Sequence, residues 1–105
     1  MTQFDFGDGP VPAHQHPNGG GWVADTASVA VTAYVGPDAR VYGYALVYDH
    51  AQVFGNAQVS GNAQVSGNAR VSGDAQVFGT AWVFGNARVS GNARVSGDAR
   101  VSGDE

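Results

Sequence analysis

Every sixth residue from Val23 to Val101 is a valine, with no insertion and no gap. An alanine follows four residues after each, from Ala27 to Ala99. At its cleanest the unit reads Val59-Ser60-Gly61-Asn62-Ala63-Gln64. A fixed short period restricts the chain to stacked repeating coils, in which each unit packs against its neighbours. The 105 residues allow one domain. A globular core of that size normally draws on Leu and Ile, but this chain has no Ile and a single Leu, Leu46. The core must therefore be narrow and built from Val and Ala.

Within a unit, Gly-Asn or Gly-Asp suits a tight corner, because Gly and Asn tolerate positive φ. The stretch A-x-V-x then reads as a short strand whose side chains alternate inward and outward. Three strands and three corners close a triangular coil of 18 residues, giving a little over four coils. Stacked at ~4.8 Å per coil, they make a prism roughly 20 Å long.

Every third strand shares a face. One face carries Trp22, Arg40 and Tyr42, with Gln58, Gln76, Phe78 and Arg94 beyond them. A second carries Ser28/Ala30, Leu46/Tyr48, Gln64/Ser66, Trp82/Phe84 and Arg100/Ser102. The third carries Tyr34, Gln52, Phe54, Arg70 and Arg88. Leu46, Tyr48, Trp82 and Phe84 make the second face the expected surface for self-association or a partner, since rigid aromatic anchors dominate interfaces. A sugar ring beside Trp82 is an alternative occupant, and scattered tolerated aromatics are the plainest one. Arg100, one coil above Trp82, is placed for a cation–π contact. One corner stacks Asp38, Asn56, Asp74 and Asn92, which separates like charges and lets amides bond between coils.

The V-x-x-x-A-x hexad over residues 23–104 resembles the left-handed parallel β-helix of the hexapeptide-repeat superfamily. The resemblance implies left-handed coils, against the usual right-handed crossover, and trimers of parallel prisms. The lead-in His16-Pro17-Asn18-Gly19-Gly20-Gly21-Trp22-Val23-Ala24-Asp25-Thr26-Ala27 is similar to hexapeptide-repeat proteins of bacteria, phages and prophages. These are often labelled transferases by fold alone. The superfamily's acyltransferases use a histidine base at the trimer interface, and His50, the only His in the repeats, is the weak catalytic candidate. They also carry a looped-out insertion, whereas no insertion breaks the register here. The related carbonic anhydrases hold zinc with three His, and the spacing of His14, His16 and His50 does not match.

Residues 1–22 read as an extended N-terminal arm and cap, and residues 23–105 as the β-helix. Pro10, Pro12 and Pro17 interrupt regular structure in the arm, and Phe4 and Phe6 are its expected docking residues. His14-Gln15-His16 places two imidazoles on one side of an extended strand. They are weak metal candidates, since a trimer would gather six; no metal and no other cofactor is expected. The absence of Cys removes disulfides and thiolate sites. A formal charge of −4 with five Arg and no Lys argues against nucleic acid. No apolar run approaches a membrane span. The N-terminus lacks the basic-then-apolar order of a secretory signal, so cytoplasmic synthesis is expected, with incorporation in a virion.

These features point to a non-enzymatic structural or interaction module, a virion component docked on a larger protein assembly by its arm. An acyltransferase-like enzyme using His50 and a carbohydrate-binding module at Trp82 are the alternatives. The sequence stops in mid-coil at Val101-Ser102-Gly103-Asp104-Glu105. Either Asp104 and Glu105 blunt the last coil by charge, or another chain covers it, or the chain is a fragment.

Overall fold

A computed structural model describes residues 3–6 and 9–102. All regular structure among them is β. Strand β1 (Gln3–Asp5) pairs antiparallel with β2 (Pro10–Gln15), and β2 pairs antiparallel with β3 (Trp22–Ala24). From β4 (Ser28–Val29) and β5 (Tyr34–Val35) onward, one two-residue strand occurs in each hexad. The series runs from β6 (Arg40–Val41) to β16 (Arg100–Val101).

From β3 on, every pairing is parallel and joins residues 18 apart, as Gln64 joins Leu46 below and Trp82 above. The result is a parallel β-solenoid of about four turns with three sheets. Sheet 1 has seven strands, including β1 and β2; sheet 2 contains Ser28, Leu46, Gln64, Trp82 and Arg100; sheet 3 runs from Tyr34 to Arg88.

The period that fixes the register also fixes the core. Val35 through Val83 and Ala33 through Ala81, each at its repeat position, are buried and form one continuous cluster. Each fully buried Val contributes ~1.5 kcal/mol or more. Alanine contributes less, so the axial ladders matter as much as the core. The outward residues on either side of each Val donate to the next coil, as in Gln64 N–H to Ala81 O at 2.9 Å and Ser66 N–H to Val83 O at 2.9 Å.

At the corners, stacked glycines adopt φ near +65°, as at Gly61 and Gly73. The residue after each donates to the next glycine's carbonyl, as Asn62 N–H does to Gly79 O at 2.8 Å. Asp49 takes the glycine place at φ 60° and accepts a bond from Gly67 N–H at 3.2 Å. The first-coil corners Asp25-Thr26 and Val31-Thr32 lack glycine and lack positive φ. There the threonine hydroxyl makes the inter-coil bond instead, Thr26 to Gly43 O and Thr32 to Asp49 O.

The N-terminal segment was expected to be an extended arm. Residues 3–5 and 10–15 form a hairpin that continues sheet 1 beyond the first coil. Residues 16–21 cross the edge of sheet 3, where Val35 N–H donates to Asn18 O and Gly21 N–H donates to Val35 O, both at 3.0 Å. Two sheet edges are thereby covered, as an all-parallel stack requires to avoid edge pairing. The expectation that Asp104 and Glu105 blunt the last coil lies outside the described residues.

Candidate functional site

The outer face of sheet 2 carries the largest departures from the repeat's usual Ser and Gln. Leu46 is 37 % exposed, Tyr48 38 % and Trp82 41 %. Their inward neighbours Val47 and Val83 are sealed in the core, so the strands that present them cannot rotate without breaking it. Phe84 is half-buried and meets Trp82 edge-to-face, with ring centroids 6.3 Å apart and planes at 89°. The Tyr48 hydroxyl donates to Gln64 Oε1 at 3.4 Å, tying one coil to the next. The four side chains assigned from sequence to this face therefore do share one sheet.

Arg100 lies over the Trp82 ring, its guanidinium carbon 5.2 Å from the centroid, as its one-coil offset predicts. Thr80, Trp82, Asp98 and Arg100 line a shallow recess of about 410 Å³. Thr80 Oγ1 lies 2.8 Å from Gly97 O and 2.5 Å from Asp98 Oδ1. An aromatic surface beside a carboxylate, a hydroxyl and a guanidinium offers both a flat apolar platform and hydrogen-bonding groups.

His50 stands on an exposed corner, its backbone N–H donating to Gly67 O at 3.0 Å. Its ring has no polar partner among the described residues. The adjacent Asp49 carboxylate is turned to Gly67 N–H instead. A general base needs a second group to hold its tautomer and a pocket to hold its substrate. Within one chain, no second group orients the His50 ring among the described residues.

The two histidines before the solenoid do not act as a pair. His14 Nδ1 lies 2.7 Å from Asp25 Oδ1, a contact half exposed on both sides. His16 is buried and its Nε2 donates to Ala33 O at 2.8 Å. In every inner coil that alanine carbonyl receives a backbone N–H from the coil before. His16 supplies the missing donor for the first coil, and its burial follows from that capping role. Among the described residues no three His, Cys, Asp or Glu side chains gather for a metal.

Phe4 and Phe6, expected to reach a partner, pack instead on the outer face of sheet 1. Phe4 stacks on Trp22 at 4.8 Å and Phe6 on Tyr42 at 4.9 Å. The Arg40 guanidinium covers Phe4 at 5.1 Å. The physical reason is local: the hairpin that extends sheet 1 lays both rings on aromatics already facing outward there, and the stacks hold it down. Docking by these two rings would require the hairpin to lift off its own solenoid.

A second aromatic locus escaped the sequence reading. Phe6, Val11, Pro12, Tyr42 and Tyr44 line a largely apolar notch of about 360 Å³ between the hairpin and the first corners. The signal was available: Tyr42 and Tyr44 stand where Ser and Asn stand in later units. Nothing in the period says where the hairpin lies, so the notch itself is not legible in the sequence.

No curated protein and no solved structure matches the chain. A family model, the YdcK beta solenoid repeat, matches residues 63–79 and 93–104, under a third of the chain. Both matched stretches lie in the purest part of the repeat. With the 18-residue parallel register, they make this chain a β-solenoid repeat protein similar to the YdcK repeat family.

Proposed function

We propose that the chain is a non-enzymatic structural module of hexapeptide-repeat type, a rigid prism that presents the outer face of sheet 2 to protein. Its setting is a larger assembly, such as a decoration or tail-associated part of a phage or prophage particle. The observation that carries this reading is the exposure of Leu46, Tyr48 and Trp82 together on one sheet whose ladder fixes their spacing. A surface already ordered loses little conformational freedom on binding, so its anchors act at nearly full strength. His50, without an orienting partner, gives the enzyme alternative no support.

Calorimetric titration with acetyl-CoA tests the non-enzymatic part. The expected result is no heat of binding up to millimolar ligand. Micromolar binding that disappears in His50→Ala would overturn the reading. The Trp82 recess favours a second reading, carbohydrate binding, which a glycan array distinguishes. Selective retention of a glycan by the native chain, lost in Trp82→Ala, would establish it.

A further inference from the structure

We propose that the partner of sheet 2 is the same face of a second copy of this chain, with the two solenoid axes antiparallel. This inference rests on the reading of sheet 2 as the working surface, and names what covers it.

The first four rungs of the face alternate in size, and the fifth, Arg100/Ser102, lies beyond the stretch they pair. Ser28/Ala30 is small, Leu46/Tyr48 large, Gln64/Ser66 smaller, and Trp82/Phe84 large. Consider a two-fold axis lying in the face, along the strands, between the Leu46 and Gln64 rungs. It exchanges the first rung with the fourth and the second with the third, while keeping each residue's place along its strand. Trp82 then meets Ser28 of the other copy, and Phe84 meets Ala30. Leu46 meets Gln64, and Tyr48 meets Ser66. Within these four rungs every large side chain faces a smaller one, so that stretch is self-complementary in the way an isologous interface must be. The parallel alternative, with the two-fold along the solenoid axis, sets each rung against itself. Large then collides with large while small leaves a gap.

Charge selects the same arrangement. Up to position 66, five aspartates (Asp5, Asp8, Asp25, Asp38, Asp49) stand against Arg40, a net of −4. From 67 to 105, four arginines (Arg70, Arg88, Arg94, Arg100) stand against Asp74, Asp98, Asp104 and Glu105, a net of zero. Antiparallel packing lays the acidic half of one copy along the neutral, arginine-bearing half of the other; parallel packing sets the two acidic halves side by side. Charge distributions of this kind set register and orientation more than they set affinity.

The contact is small. Four rungs at ~4.8 Å by one prism side of about six residues give about 400 Å² per copy. The total of about 800 Å² is below the ~1,200 Å² of stable interfaces, so a dissociation constant of about 100 µM to 1 mM is expected.

The test uses the full chain, which has no native cysteine. Ala30→Cys and Ser102→Cys are made separately and mixed at about 0.5 mM in low salt with a short bismaleimide. With facing sheets ~10 Å apart, these positions lie about 11 Å apart across the antiparallel pair and over about 20 Å apart in the parallel one. The expected result is a covalent dimer at least about fivefold more abundant in the mixture than with either variant alone. Adding Trp82→Ser to both should return it to background while the circular dichroism spectrum stays unchanged. Equal crosslinking by Ala30→Cys alone, no excess in the mixture, or a trimer mass by sedimentation of the native chain would each overturn the antiparallel pair. None of these results bears on the acetyl-CoA titration, so failure of the pair is distinguishable from failure of the functional reading.

Discussion

Replacing Gly73 by alanine separates two reasons for a corner glycine. The φ of Gly73 is +65° and that of Gly91, one coil on in the same column, is +63°. In that region an L-residue with a Cβ pays roughly 1 kcal/mol, partly offset by a stiffer unfolded chain. Both substitutions share that cost. They differ in what the new Cβ meets. At Gly73 it would stand 2.9 Å from Gly91 N and 3.0 Å from Gly91 O; at Gly91 nothing lies within 4 Å. Backbone cannot swing aside as a side chain can. The two coils must separate locally, weakening the bonds from Asp74 N–H to Gly91 O and from Ser72 N–H to Val89 O, both 2.8 Å. Each such bond is worth about 1 kcal/mol. Gly73→Ala should therefore cost about 2–4 kcal/mol and Gly91→Ala about 1 kcal/mol or less. Urea unfolding followed by far-ultraviolet circular dichroism reads both, with the slope checked because repeat arrays can lose two-state behaviour. Equal losses for the two variants would show that stacking between corners is not what demands glycine.

Three further outcomes follow from the packing. Val65→Ala, fully buried at mid-solenoid, should lower unfolding stability by about 2–3 kcal/mol in urea titration, and Val95→Ala, 8 % exposed, by less. Thr26→Val should cost about 1 kcal/mol because its hydroxyl makes the only inter-coil bond described at that corner. Thr80→Val should cost less, since the Thr80 N–H already donates to Gly97 O at 2.9 Å; thermal melts of the pair compare them. Phe4→Ala should loosen the hairpin, red-shift Trp22 emission in a Trp82→Phe background, and speed hydrogen exchange in β2 while sparing mid-solenoid strands.

The period alone carried the fold far. It placed Val and Ala inward, grouped outward residues onto three faces, and put Leu46, Tyr48, Trp82 and Phe84 on one of them. It also put Arg100 over Trp82 and Asn56 beside Asp74, whose amide and carboxylate meet at 3.3 Å. These are consequences of an 18-residue offset, and an unbroken repeat leaves the offset no freedom. Residues 3–21 have no repeat to fix their register, so their reading was poorer. Gly7-Asp8-Gly9 between Phe6 and Pro10 carries the Asp-Gly signal of a hairpin turn. The three prolines read as breaks in regular structure, yet Pro10 and Pro12 lie in β2, paired between β1 and β3, where Pro12 contributes its carbonyl, accepting from Asp25 N–H at 2.9 Å. Burial of His16 was not legible either. It depends on Ala33 O having lost its usual donor, which only the position of the cap reveals. The inter-coil bonds of the Thr26 and Thr32 hydroxyls are not legible in the sequence, because each replaces one made by backbone elsewhere.

The account depends most on the three-strand coil that brings positions 28, 46, 64 and 82 onto one face. Leu46 is the chain's only leucine, so leucine-methyl labelling yields one unambiguous reporter. In dilute protein, nuclear Overhauser contacts from the Leu46 methyls should run to Ser28 and Gln64, the rungs 18 residues away on either side. Contacts instead to positions 12 residues away, Tyr34 or Gln58, would mean a two-strand coil and would contradict the face, its anchors and the function built on them.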